Sequence, residues 1–188
     1  MDKNTIIIGI GTAGCKIVSK LDNTFEHAFI DGKEEVIEKY SGLRIGNDPT
    51  PCWEMVEMDT FKQRQDILNI INDFDNILLV CPLGGNCGCG ITKKVVEIAS
   101  FAGKNVTLVT SCPFKFEGAK RAEMRLRTSV LLKDLCKLIF VKNYNPADSG
   151  QKTMILKDVF DKQDELFIEK INEILSEWYI NYFFDLFH

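Results

Sequence analysis

Two glycine-rich turns hold the residues of this chain whose type and spacing could do chemistry: Gly9-Ile-Gly-Thr-Ala-Gly14 and Gly84-Gly-Asn-Cys-Gly-Cys-Gly90. Each follows a short β-type run, Thr5-Ile-Ile-Ile8 and Asn76-Ile-Leu-Leu-Val-Cys81, and each opens into a stretch that reads as a helix. Glycine lets backbone approach a phosphate closely. A helix N-terminus presents unpaired N–H groups and the positive end of its dipole to the anion. Two such turns in one small domain point to a polyphosphate held from two sides. The first turn also fits G-x-G-x-x-G, and Asp31 closes the next strand at the distance where an acid grips a ribose in dinucleotide-binding proteins. Taken alone, the first turn therefore reads as an NAD(P)- or FAD-binding fingerprint.

The elements that must position these turns alternate strand and helix. Strands are expected at 5–9, 28–30, 43–45, 76–81, 105–110 and 138–142, and helices at 12–21, 33–40, 60–73, 91–101 and 118–135. Residues 46–58, with Asp48, Pro49, Thr50 and Pro51, read as loop. The 60–73 helix carries Phe61, Ile67, Leu68 and Ile71 at helical spacing. Strands rich in Ile, Val and Leu between helices imply a parallel sheet covered on both faces, with ligands at the carboxyl ends of the strands. The fold class is α/β: a three-layer, doubly wound, mainly parallel Rossmann-like sheet, expected in the order 3-2-1-4-5-6. After the loop 143–150 comes one long helical stretch, 158–182, with Phe160, Leu166, Phe167, Ile171, Ile174, Leu175 and Trp178 in a core-facing stripe. The reading divides the chain into an α/β domain, 1–157, and a long helix with an aromatic tail, 158–188, packed on it. The tail, Trp178–Phe187, must dock on the domain or on a partner.

The net charge of −4 argues against a nucleic-acid partner, which calls for a basic face. No apolar run approaches the ~18 residues of a membrane span, and the opening Met1-Asp-Lys-Asn is not that of a signal peptide. The seven cysteines are odd in number and several fall in strands or helices, which suits a reducing, cytoplasmic setting. With no C-x-x-C pair and with His27 and His188 isolated, the thiols read as small buried or loop side chains, not as a metal centre. Cys87 and Cys89 sit at a helix N-terminus, a place that lowers a thiol pKa and favours reactivity.

Downstream of the second turn stands Val109-Thr-Ser-Cys-Pro-Phe-Lys-Phe-Glu-Gly-Ala-Lys-Arg121. This segment, together with Gly84–Gly90, resembles the nucleotide-binding (GTPase) domain of the FtsZ/tubulin superfamily. That family carries G-G-G-T-G-[ST]-G after its fourth strand and, in its bacterial branch, Pro-Phe-x-Phe-Glu-Gly ending in Lys-Arg. The resemblance covers roughly residues 5–175 and is strongest between 75 and 143. It implies GTP or GDP as ligand, with Mg2+ as an optional companion, and a cytoskeletal or cell-division setting. By the resemblance, Gly9, Gly11, Thr12, Ala13, Gly14 and Cys15 form one phosphate loop. Gly84, Gly85, Asn86, Cys87, Gly88, Cys89 and Gly90 form the main one. Glu117 matches a ribose contact, Arg121 an arginine beside the nucleotide, Asn143 an asparagine near the sugar, and Phe160 the ring that stacks on guanine. Asp164, one turn later, matches a guanine reader: a carboxylate can accept from both N1–H and N2–H of guanine, a donor pair that adenine lacks.

The departures from the family are specific. Cys87 and Cys89 replace threonines, Asn86 stands where glycine is common, and residues 46–58 lack the glycines of a γ-phosphate-sensing loop. Lys16 replaces a small polar residue, and either snorkels to solvent or adds a cation for the phosphates. The family's acidic catalytic loop, Asn-x-Asp-x-x-Asp, is matched only by Asn181-Tyr-Phe-Phe-Asp185, so Asp185 is a weak catalytic candidate. The expectation is a guanine-nucleotide-binding, FtsZ/tubulin-like protein. It would act as a filament-related switch or regulator, hydrolyse GTP slowly or only with a partner, and form no filaments by itself. Its partners would be further copies or a full-length relative. An NAD(P)/FAD binder and a degenerate scaffold that binds no nucleotide are the alternatives.

Overall fold

The computed structural model describes residues 4–47, 52–149 and 154–186, and side chains for 4–47, 52–147 and 154–179. The strands are β1 (Thr5–Ile10), β2 (Glu26–Asp31), β3 (Leu43–Arg44), β4 (Asn76–Val80), β5 (Asn105–Ser111) and β6 (Lys137–Val141). The helices are α1 (Gly11–Val18), α2 (Glu34–Tyr40), α3 (Trp53–Lys62), α4 (Arg64–Ile71), α5 (Asn86–Phe101), α6 (Ala119–Leu132) and α7 (Leu156–Leu186). All neighbouring strands run parallel, in the order β3-β2-β1-β4-β5-β6. This is the expected α/β Rossmann-like architecture and the expected order.

Strand β1 is buried along its whole length, as a central parallel strand covered on both faces must be. Its side chains split by the period of two. Ile6, Ile8 and Ile10 join Ile77, Leu79, Ile67, Ile71, Ile91 and Val95 on the face covered by α3 to α6. Ile7 joins Leu78, Val80, Ile17, Val18, Phe167, Ile171 and Ile174 on the face covered by α1 and α7. Each fully buried Ile or Phe contributes ~1.5–3 kcal/mol. Helix α7 is therefore core through Phe167 and Ile171, both with no exposed surface. Of the aromatic tail, Trp178 packs against this same cluster and Tyr179 is exposed; the side chains beyond lie outside the described residues.

Three stretches differ from expectation. Of the loop expected at 46–58, residues 53–58 belong to α3, which begins at Trp53; residues 48–51, with Pro49 and Pro51, lie outside the described residues. The single helix expected at 60–73 is two, broken at Gln63. That side chain donates to the Arg44 carbonyl at 2.7 Å and accepts from the Gly46 N–H at 3.2 Å, tying the break to the end of β3. Phe61 consequently points out and is 54% exposed, while Ile67 and Ile71 keep their core positions. Helix α5 starts at Asn86, so the second glycine turn is itself the first turn of the helix.

Candidate functional site

Strands β1 and β4 lie side by side with Gly9 in register with Val80, so both glycine turns leave the sheet at neighbouring points on its carboxyl edge. Chain order reverses direction across this pair, the place where doubly wound sheets open a ligand crevice. The two turns touch. Gly11 takes φ +74°, a left-handed conformation, and a Cβ there would lie 3.5 Å from the Gly88 Cα. Gly14 is stricter: a Cβ would fall 2.2 Å from the Val80 carbonyl oxygen, inside covalent crowding. No side chain caps α1 or α5, and neither has an acid in its first turn. Their dipoles therefore point at one place without a counter-charge from their own first turns. Thr12 and Ala13 are exposed, and Gly85 to Gly88 half-buried, around this edge.

Asp31 stitches the turns from below. It is 2% exposed and accepts from the Thr12 hydroxyl at 2.9 Å, the Lys33 N–H at 3.2 Å and the Cys87 thiol at 3.5 Å. These internal bonds occupy the carboxylate that a dinucleotide reading would give to a ribose. The thiols fill the floor. Cys15 donates to the Gly9 carbonyl at 3.3 Å, and Cys89 accepts from the Gly84 N–H at 3.2 Å. Burial, and then the Asp31 charge, push the Cys15 and Cys87 thiols up to about 12. Burial also raises Cys81 and Cys89. This corrects the expectation of thiols activated by a helix terminus: desolvation outweighs the dipole, and the sulfurs are neutral packing groups. All seven cysteines are free, and among the described residues no group of three or more His, Cys, Asp or Glu could hold a metal ion.

The other end of the crevice is occupied by the chain's own side chains. The Phe114 and Phe116 rings stack at 5.1 Å, and Phe160 meets both at near right angles, at 5.6 and 6.1 Å. Glu117 accepts from the Phe114 N–H at 2.8 Å and pairs with Arg121, one helical turn on, at 3.0 Å. Asp164 is 6% exposed and takes two ammonium groups, Lys16 and Lys20, each at 2.9 Å. Lys16 also reaches Asp161 at 2.8 Å. Lys16, which directly follows the first glycine turn, thus carries a partly exposed ammonium to two carboxylates on α7. Asn143 lines a groove of about 610 Å³ with Phe140, Leu166, Glu169 and Lys170, and its buried Oδ1 has no hydrogen-bond partner. Its neighbour Tyr144 is tied by its N–H to Gln163 of α7. Asp185 lies near the end of α7, and its side chain is outside the described residues.

Sequence reasoning had not singled out Asp161, Lys20, Phe114 and Phe116. The signal was present as spacing. Lys16 lies on α1 and Lys20 four residues on, just past its end, while Asp161 and Asp164 stand i,i+3 on α7, so each side presents a pair of like charges to the other.

No protein-family model matches the chain. It is 25% identical over 179 residues to cell division protein FtsZ 1 of Pyrococcus woesei, covering 91% of this chain and 47% of that protein. It is 24% identical over 188 residues to cell division protein FtsZ of Aquifex aeolicus, covering 90% and 50%. The chain thus spans about half the length of these curated relatives. Among solved structures, an empty FtsZ dimer from M. jannaschii superposes with TM-score 0.76 at 22% identity, over 91% of this chain and 54% of that one. CetZ2 from Haloferax volcanii, a GTPγS-bound protofilament, superposes with TM-score 0.77 at 16% identity, over 92% and 58%. Sequence likeness along nine-tenths of the chain and the structural superposition agree with the paired glycine turns: the chain has an FtsZ-like fold and is similar in sequence to FtsZ proteins over about half of their length.

Proposed function

We propose that the chain binds a guanine nucleotide, GTP or GDP, with its polyphosphate between Gly9–Cys15 and Gly84–Gly90. The observation that carries this reading is the meeting of two uncapped helix N-termini at Gly11 and Gly88, on the carboxyl edge of the sheet. Such a cradle suits phosphate oxygens, and any Mg2+ would be held chiefly by the phosphates, since no cluster of protein ligands stands by among the described residues. Glu117, Arg121, Phe160 and Asp164 would address ribose and base, with Asn143 from the next loop. The internal bonds of Asp31 weigh against an NAD(P) or FAD reading.

A thermal-shift series with GTP, GDP, ATP, NAD and NADP tests the assignment, since a ligand that binds only the native state raises its melting temperature. Guanine nucleotides are expected to give the largest shift. Equal binding of ATP and GTP in calorimetry would sink it. Slow hydrolysis, and a role as switch or regulator beside filament-forming relatives, belong to the same reading. The CetZ2 neighbour is recorded as a GTPγS-bound protofilament. Sedimentation with a full-length relative, with and without this chain, measures whether polymer mass changes.

A further inference from the structure

The proposed base end of the crevice contains a charge cluster of which the nucleotide reading uses only Asp164. Helix α1 and the residues just after it present Lys16 and Lys20; helix α7 presents Asp161 and Asp164. The ion pairs are Lys16–Asp161 at 2.8 Å, Lys16–Asp164 at 2.9 Å and Lys20–Asp164 at 2.9 Å. The Asp164 side chain is only 9% exposed, whereas Lys16 and Asp161 are about two-fifths exposed. Both lysines bind the same oxygen, Asp164 Oδ2. A desolvated carboxylate holding two ammoniums is already satisfied, so a neutral N–H of a base must compete with charge-assisted bonds. The outer pair is screened by water and yields more easily. The Asp161 contact, more than any other neighbour, holds the Lys16 ammonium above its ordinary range, so it stays charged at neutral pH.

We propose that Lys16 and Lys20 form a latch that holds Asp164 against α1, and that a guanine base is read only when Lys16 releases it, so that Lys16 sets how strongly the site prefers guanine over adenine. This rests on the nucleotide reading above. It also gives Lys16 a different task from a phosphate cation: its ammonium is committed to two carboxylates on α7.

The test compares GDP and ADP by calorimetry on the wild type, Lys16→Asn and Lys20→Met. The two ligands share their phosphates, so the ratio of their dissociation constants isolates the base. Lys16→Asn is expected to raise the preference for GDP roughly tenfold, the size of one charge-assisted hydrogen bond. Lys20→Met, which leaves Lys16 in place, is expected to raise it less. Loss of affinity for both ligands with an unchanged ratio would overturn the latch and make Lys16 a phosphate ligand. A second measurement needs no nucleotide: melting of Lys16→Asn, Asp164→Asn and the double variant. The double variant is expected to lose less than the sum of the singles; strictly additive losses would overturn the latch by themselves. If the melting shows coupling while neither nucleotide binds any variant, the nucleotide reading falls and takes the latch's function with it.

Discussion

The two ends of the crevice are built by opposite means. At the glycine end the chain withdraws side chains: α1 and α5 begin without caps, and a Cβ on Gly14 would overlap a carbonyl of β4. At the far end it adds them: three phenylalanine rings, the Glu117–Arg121 pair and four charges joined across two helices. A fold that binds the phosphates of many nucleotides alike can keep the first end nearly constant and vary the second. Under the proposed nucleotide reading, this difference would locate affinity in backbone geometry and selectivity in a few replaceable side chains.

The sharpest way to break this contrast is Gly14→Ala. The 2.2 Å approach to the Val80 oxygen leaves no room for a methyl group, and Cys15 beside it and Val80 opposite are fully buried. Loss of ~3 kcal/mol or more of stability is expected in denaturant titration. A variant as stable as wild type would mean the first turn is not locked against β4.

Alkaline pH probes the floor beneath the same turn. The Cys15 and Cys87 thiols rise from 9.0 to about 12 in the folded chain. Across that window the unfolded chain releases protons that the folded chain keeps. Their contribution is therefore fully present below pH 9.0 and is lost as pH rises toward about 12. The slope is about 1.4 kcal/mol per pH unit for each thiol. Unfolding measured through this range should show that slope, and Cys15→Ala should shed one thiol's share. At neutral pH, a disulfide reagent should label exposed Cys52 and Cys112 well before the buried thiols.

At the selective end, Asp164→Ala removes the acceptor and is expected to weaken guanine preference by about 1–3 kcal/mol, leaving phosphate binding in place. Calorimetry with GDP and ADP reads it, and a variant that loses both ligands together would erase the division of labour. The smallest effect is expected from Gly85→Ala. Nothing lies within 4 Å of a Cβ at that position, so stability should fall by under about 1 kcal/mol, the loss of a good N-cap residue. If it also leaves nucleotide binding intact, the constraint lies in Gly11 and Gly14 and not in glycine content as such.

Much of the fold was legible because apolar runs and turn residues are local signals. The run Ile6–Ile8 and its counterpart Ile77–Val80 mark central strands, and a parallel order follows once helices intervene. Helix α3 was hidden because Pro49 and Pro51 suggest a loop that outlasts them. The break at Gln63 was hidden because its cause is a pair of side-chain bonds to β3, and Gln is ordinarily a good helix former. Positions in the glycine turns could be read from residue type. The state of the thiols could not, since it depends on burial and on Asp31 arriving from another strand. Lys16 met Asp161 145 residues away in the chain, a distance over which only the folded packing decides.

Gly90 has a consequence for motion. A Cβ there would strike Val56 at 2.8 Å, and the Trp53 carbonyl is close behind, so α3 rests directly on the first turns of α5. Glu57 reinforces the seat by pairing with Lys93 at 2.8 Å and by accepting from the Trp53 indole, while Arg127 of α6 lies over that indole at 5.1 Å. Helices seated this way are expected to open to solvent together. Anything that quiets the start of α5 should slow amide hydrogen exchange in α3 to the same degree, although α3 contributes no residue to either glycine turn. Helix α3 would then report on the start of α5 at a distance, by how often it opens.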